Sequence, residues 1–93
     1  MNIRYQYKEL KNKLNVTGSN INLFRNKRNM SAQQLSDKLI LKGLELSRAA
    51  IYRIEAGKRI VTDYELYLIA DVLGITTDEL LRPFGKIVNN ANK

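Results

Sequence analysis

Residues 47 to 57 read Ser47-Arg48-Ala49-Ala50-Ile51-Tyr52-Arg53-Ile54-Glu55-Ala56-Gly57. A serine suited to capping a helix opens this stretch and a glycine closes it, which is typical of a short α-helix. On a helical wheel, Ala50, Ile51 and Ile54 fall within an arc of about 100° and predict a side that faces the core. The opposite side carries two arginines, a tyrosine and two alanines: Arg48, Ala49, Tyr52, Arg53 and Ala56. The stretch therefore predicts a helix that packs on one side and is basic on the other.

The basic side of this helix has the chemistry that recognition in the major groove of DNA requires. Guanidinium groups match the O6 and N7 atoms of guanine, and alanine methyl groups can contact the methyl group of thymine. Lys58 and Arg59 follow the closing glycine and are suited to contacts with flanking phosphates. Taken alone, the same composition also fits a basic surface that is merely solvated.

Signals for further helices lie on both sides of this stretch. Three helix starts have the pattern Ser/Thr-x-x-Glu/Gln, in which two side chains satisfy backbone N–H groups reciprocally. They begin at Ser31, Thr62 and Thr76. Stop signals follow the periodic stretches at Gly43, Gly57 and Gly74. Because strand signals are nearly absent, we predict an all-α, compact five-helix domain, with helices at about 20–28, 32–42, 48–56, 63–73 and 77–82.

Apolar residues at three- and four-residue spacing give each of the first four predicted helices one stripe. Together these stripes predict one shared core, formed by Ile21, Phe24, Leu35, Leu39, Ala50, Ile51, Ile54, Leu66, Ile69, Ala70 and Leu73.

The charge of the chain is unevenly distributed. Its 93 residues include 16 Lys and Arg against 9 Asp and Glu, which gives a net charge of +7. Residues 1 to 62 hold 13 basic and 4 acidic residues, and residues 63 to 93 hold 3 basic and 5 acidic residues. Such an excess of positive charge indicates a nucleic acid or another anionic surface as the partner. Since no apolar run is long enough for a membrane span or a signal peptide, we expect a soluble, cytoplasmic protein.

Cysteine and histidine are both absent from the chain. Their absence excludes disulfides, zinc fingers, thiol nucleophiles and serine-histidine triads. We therefore expect neither an enzyme nor a cofactor or metal site.

The order of the segments resembles the Cro/repressor-type (XRE-like) helix-turn-helix DNA-binding domain. Residues 21 to 31 resemble the first helix of that family and the cap of its second helix. Residues 47 to 59 resemble its recognition helix and the following loop, and residues 66 to 81 its fourth and fifth helices. The resemblance implies that the second and third helices form the helix-turn-helix and that the opening turn of the third enters the major groove.

The resemblance also implies roles for residues at matching positions. On the third helix and in the loop after it, the implied DNA-binding residues are Ser47, Arg48, Ala49, Tyr52, Arg53, Lys58 and Arg59. Lys58 and Arg59 are expected to contact phosphates, and the helical residues are expected to contact base edges. The family's pairing of an arginine on the first helix with a glutamate on the third falls on Arg25 and Glu55.

One departure from the family pattern lies at the start of the second helix. The glutamine that reaches a phosphate from its opening turn aligns with Ala32 in this chain. We expect Gln33 or Ser31 to replace it in contacting DNA.

A second departure is the distance between the second and third helices. The interval from Leu35 to Ile51 is about five residues longer than the family's usual spacing. We predict nearly one more turn of the second helix and a longer connection, with Leu44 or Leu46 packed into the core.

The resemblance divides the chain into an N-terminal segment at 1–17, the DNA-binding domain at 18–82 and a C-terminal tail at 83–93. The N-terminal segment has helical spacing at Ile3, Tyr7, Leu10 and Leu14, whereas Ile3, Tyr5 and Tyr7 alternate as in a strand. A further helix, a strand and a disordered basic arm remain alternatives for this segment.

These observations favour sequence-specific binding of double-stranded DNA by a transcriptional regulator of bacterial or phage type that acts as a repressor. The alternative is an antitoxin-like interaction module, in which the terminal segments bind a partner protein and DNA binding is secondary. We expect a homodimer, because one recognition helix reads only a few base pairs. Surplus apolar residues of the less charged C-terminal part would form its interface: Tyr64, Tyr67, Leu68, Leu81, Phe84, Ile87 and Val88.

Overall fold

The computed structural model describes residues 12 to 82, which form five α-helices. In chain order these are α1 Gly18–Lys27, α2 Ala32–Leu41, α3 Arg48–Glu55, α4 Asp63–Leu73 and α5 Thr77–Leu81. No strand occurs among these residues, so the prediction of an all-α, five-helix architecture is confirmed. Residues 12 to 17 form turns rather than a helix, and the alternatives for residues 1 to 11 lie outside the described residues.

Local side-chain signals set the helix starts. The predicted capping boxes are present at Ser31, Thr62 and Thr76, and the hydroxyl of Ser47 accepts a hydrogen bond from the Ala50 N–H at 3.0 Å. The starts of α2 to α5 therefore agree with the predictions. The exception is α1, which begins two residues before the predicted Asn20.

The helix ends also follow the predicted stop signals. Backbone φ is positive at the three glycines that follow α2, α3 and α4, with values of 88° at Gly43, 76° at Gly57 and 71° at Gly74. After α1, Asn29 takes the same conformation with φ of 53°, which asparagine tolerates better than most residues.

One apolar core joins all five helices. Its buried residues are Ile21, Ala32, Leu35, Leu39, Leu46, Ala50, Ile51, Ile54, Ile69, Ala70, Leu73 and Leu80. Phe24 and Leu66, which the stripes also predicted, pack against this cluster and are partly buried. Burial of the inner side of α3 fixes which of its sides faces outward.

The longer connection between α2 and α3 is packed rather than loose. Leu46 is 4% exposed within the core, and Leu44 packs partly against it, as predicted. The hydroxyl of Ser36 on α2 donates a hydrogen bond to the Leu46 carbonyl at 2.6 Å. The chain is thus attached to α2 immediately before it enters α3.

A buried asparagine ties the two ends of the described chain together. Asn20 on α1 is 2% exposed and donates from its side-chain amide to the carbonyl oxygens of Leu80 and Arg82. Asn20 therefore holds α5 against α1.

Replacement of Leu46 tests the packing of the connection. We expect Leu46→Ala to lower the free energy of unfolding by about 2 to 4 kcal/mol, because it leaves a cavity in the core. Leu41, which is 86% exposed, provides the matched control, and Leu41→Ala should change stability by less than about 0.5 kcal/mol. Urea denaturation followed by circular dichroism measures both variants. Equal stability of the two would mean that the connection does not contribute to the core.

Candidate DNA interface

The two sides of α3 differ in burial as the helical wheel predicts. Ala50, Ile51 and Ile54 are buried, whereas the five residues of the opposite side are exposed. Those exposed residues are Arg48, Ala49, Tyr52, Arg53 and Ala56. Tyr52 alone exposes 52% of its surface.

The two arginines of this side are available to a partner. Neither Arg48 nor Arg53 forms a side-chain hydrogen bond or an ion pair with another residue between 12 and 82. Ser47 caps the helix beside them; its oxygen accepts from the backbone, so its hydroxyl proton remains free to be donated. The N-terminal end of α3 therefore offers several donors and the positive end of the helix dipole.

A buried ion pair holds α3 against α1. The Arg25 guanidinium donates to both carboxylate oxygens of Glu55, from Nε at 2.6 Å and from Nη2 at 2.9 Å. The side chains are only 9% and 6% exposed, and the hydrogen bonds to Glu55 raise the pKa of Arg25 above its ordinary value. The pairing that the family resemblance implied is confirmed.

Neighbouring groups complete this ion pair. Asn22 donates to Glu55 Oε1 at 2.9 Å, and Arg25 Nη1 donates to the Met30 carbonyl at 2.8 Å. Because Met30 precedes the cap of α2, one guanidinium group connects α1, α3 and the turn that leads to α2.

The loop from α3 to α4 contains two cations that differ in their surroundings. The side chain of Lys58 is exposed and has no hydrogen-bond or ion-pair partner among the described residues. Arg59 donates to both carboxylate oxygens of Glu65, at 3.0 and 3.1 Å, and to the Ile60 carbonyl at 2.9 Å. Two of the five guanidinium N–H groups of Arg59 have no partner among the described residues.

The Arg59–Glu65 pair also supports the start of α4. The hydrogen bond from Arg59 lowers the pKa of the Glu65 carboxyl below its ordinary value and raises the pKa of Arg59. Glu65 accepts from the Thr62 N–H at 3.0 Å as part of the capping box. The sequence identified Glu65 as a capping residue, but it contained no signal that the same carboxylate binds Arg59.

The start of α2 presents the remaining predicted residues. Ser31 is exposed in its capping box, and Gln33 is exposed and donates to Asp37 at 3.0 Å. Ala32 is 1% exposed and belongs to the core, so its position cannot supply the contact that the family's glutamine makes.

Residues 13 to 17, which we term the N-terminal strap, contact the end of α3, and no pattern in the sequence predicts this contact. The Leu14 N–H donates to the Gly57 carbonyl at 2.8 Å, and Lys13 Nζ lies 3.3 Å from the Ala56 carbonyl. Asn15 donates to the Ile54 carbonyl at 3.0 Å. The partners are backbone carbonyls, which every residue carries, so these contacts leave no recognisable pattern in the sequence.

No group of three or more His, Cys, Asp or Glu side chains in the described region could hold a metal ion. Among the helices of residues 12 to 82, none has the length and apolar character needed to cross a membrane.

The Arg25–Glu55 pair can be tested against an exposed pair of the same kind. We expect Glu55→Ala to lower the free energy of unfolding by about 3 kcal/mol, because it leaves the Arg25 charge buried without its partner. The control is Asp71→Ala, which breaks an ion pair with Lys42 whose side chains are 44% and 49% exposed. That change should cost less than about 1 kcal/mol. Thermal and urea denaturation at pH 7 compare the two, and similar losses would contradict a central role for Glu55.

The sequence of the chain matches a known protein family. A family model described as helix-turn-helix matches residues 21 to 80, about two thirds of the chain. Neither the curated proteins nor the solved structures gave a significant match. The matched residues run from the start of the α1 core stripe to the buried Leu80 of α5, and they include the whole of α2 and α3. The chain therefore belongs to the Cro/XRE-like helix-turn-helix family of DNA-binding transcription regulators.

Proposed function

We propose that this protein binds a specific double-stranded DNA sequence and represses transcription by occupying it. The observation that carries the proposal is the state of α3: its inner side is buried, its carboxylate is bonded to α1, and its two outward arginines have no partner within residues 12 to 82. Unpaired guanidinium groups on a rigid helix are suited to base edges, since each can donate two parallel hydrogen bonds to guanine.

The proposed contacts divide into two classes. In helix-turn-helix proteins the first residues of the recognition helix contact base edges, so Arg48 and Ala49 would lie closest to the bases. Tyr52 and Arg53 follow one turn later on the same exposed side. These four residues would supply specificity.

The phosphate contacts would come from the elements on either side of α3. Lys58 and the two unused N–H groups of Arg59 lie after the helix, and Ser31 and Gln33 lie at the start of α2. Lys58 is the stronger candidate of the two cations, because Arg59 already neutralises Glu65. These groups would supply affinity that does not depend on sequence.

Substitutions that each remove one positive charge test this division. They are compared once a preferred site has been selected from a random pool of duplexes. Lys58→Ala should weaken binding to the selected site and to random duplex by the same factor, and should lower the slope of log K against log salt by about one unit per contact. Arg48→Ala and Arg53→Ala should each cost about 1 to 3 kcal/mol per base contact, mainly on the selected site. Fluorescence anisotropy over a salt series measures all three.

The result that would contradict specific recognition is an equal loss on selected and random duplexes for both arginine variants. Arg59→Ala is less informative than Lys58→Ala, because it also removes the partner of Glu65.

We further propose that the protein binds DNA as a homodimer through its α4 and α5 side. Tyr64 and Tyr67 on α4 are 59% and 65% exposed, and Leu81 on α5 is exposed as well. Leu68 packs partly against the core and offers less surface. Phe84, Ile87 and Val88 lie outside the described residues. Exposed aromatic side chains in the acidic C-terminal part would be covered by a second copy without repulsion between the basic DNA-binding surfaces.

Sedimentation velocity tests this assembly. We expect a dimer in the micromolar range and two protomers on a near-palindromic site, with half-sites about 34 Å apart. Tyr67→Asp should shift the equilibrium toward monomer, whereas Leu41→Asp, at the exposed C-terminal end of α2, should not. A monomer that remains monomeric at high concentration and binds one per site would exclude the proposed dimer.

A further inference from the structure

We propose that Asn15, in the N-terminal strap, is a positioning residue for base recognition. It would act by setting the pose of α3 and of the loop that carries Lys58. This inference rests on the proposed function, since it concerns the accuracy with which α3 meets DNA.

The side-chain amide of Asn15 forms hydrogen bonds through both its oxygen and its nitrogen, and these bonds reach three different elements. Its Oδ1 accepts from the N–H groups of Thr17 and Gly18, at 3.1 and 2.7 Å, where α1 begins. Its Nδ2 donates to the carbonyls of Ile54 at 3.0 Å and Arg59 at 2.8 Å. One side chain thus connects the start of α1, the last turn of α3 and the loop that follows.

The neighbours of Asn15 hold the same three elements close together. A Cβ atom at Gly18 would lie 2.1 Å from the Ile54 carbonyl oxygen, so the backbones of α1 and α3 touch at this point. Lys13 lies across Gly57, where a Cβ atom would meet its Cδ at 2.4 Å. Close approach at both glycines brings the strap within hydrogen-bond reach of carbonyls that end a helix.

The position of these bonds explains their effect on recognition. Helix α3 has 8 residues and is about 12 Å long, and the Asn15 and Glu55 bonds both act at its C-terminal end. A tilt of about 5° at that end would displace the opening turn by about 1 Å. Arg48 stands on the opening turn, and bidentate hydrogen bonds to a base tolerate errors of only about 0.5 Å.

The same bonds constrain the loop. The Gly57 carbonyl is held by the Leu14 N–H, and the Arg59 carbonyl by Asn15. On its other side the loop is held by the Arg59–Glu65 pair. Lys58 therefore projects from a segment whose two neighbours are both attached to the body of the domain.

The test compares two asparagine-to-serine variants. Asn15→Ser keeps an oxygen that can accept from the start of α1 but cannot reach the carbonyls of Ile54 and Arg59. Asn20→Ser removes an equal number of donated bonds, those to the Leu80 and Arg82 carbonyls, on the side of α1 that faces α5. Both variants keep the charge of the chain.

Binding of each variant is measured by fluorescence anisotropy to a selected duplex and a random duplex, at a temperature well below its melting midpoint. We expect Asn15→Ser to lower affinity for the selected duplex about tenfold and for the random duplex less than about twofold. Asn20→Ser should leave the ratio of the two affinities unchanged, even where it lowers the melting temperature more. A ratio for Asn15→Ser equal to that of the unmodified protein would overturn the inference.

Failure of the proposed function can be distinguished from failure of the role of Asn15. If the unmodified protein binds selected and random duplexes equally well, the proposed function itself is contradicted. If Asn15→Ser does not fold, Asn15→Asp replaces it, because the carboxylate keeps both accepted bonds and loses only the donated ones. Its added negative charge weakens binding to both duplexes alike, so the ratio of the two affinities still reports the orientation of α3. An unchanged ratio again overturns the inference.

Discussion

The buried ion pair between Arg25 and Glu55 is the interaction on which the orientation of α3 depends. Apolar contacts are non-directional, and α3 contributes only Ala50, Ile51 and Ile54 to the core. Such a short apolar side could rotate or slide without losing much buried area. Two directional hydrogen bonds from the planar Arg25 guanidinium group allow the helix far fewer orientations. The side chains of Arg25 and Glu55 are only 9% and 6% exposed.

The charged residues of the domain serve two purposes that the structure separates clearly. Three cations are paired with carboxylates of the same domain: Arg25 with Glu55, Lys42 with Asp71 and Arg59 with Glu65. An ion pair contributes little to the field at a distance, because its charges cancel. Arg48, Arg53 and Lys58, along α3 and its loop, have no carboxylate partner among residues 12 to 82 and therefore leave uncompensated positive charge on that side of the domain.

Local signals in the sequence were sufficient for the starts of α2 to α5 and for most of the core, since capping residues, glycine stops and apolar spacing act within a few residues of one another. The buried Ala32 and Leu80 were not among the predicted core residues. The Arg25–Glu55 pair came from the family resemblance, not from spacing. The start of α1 was predicted too late because its N-cap, Thr17, makes no side-chain capping bond, and the Gly18 N–H donates instead to Asn15, two residues before that N-cap. Contacts of this side chain with the Ile54 and Arg59 carbonyls could not be predicted, because a backbone carbonyl has the same chemistry at every residue.

The connection between α2 and α3 has a consequence for how this domain can vary. Its last attachments, the burial of Leu46 and the bond from Ser36 to the Leu46 carbonyl, come immediately before Ser47. Gly43 and Glu45 are exposed and Leu44 is only partly buried, and all three residues lie upstream of that attachment. Insertions or deletions there change the contour of the connection and leave the start of the recognition helix in register. In this helix-turn-helix, the connection before Leu46 can therefore vary in length while the start of the recognition helix stays fixed.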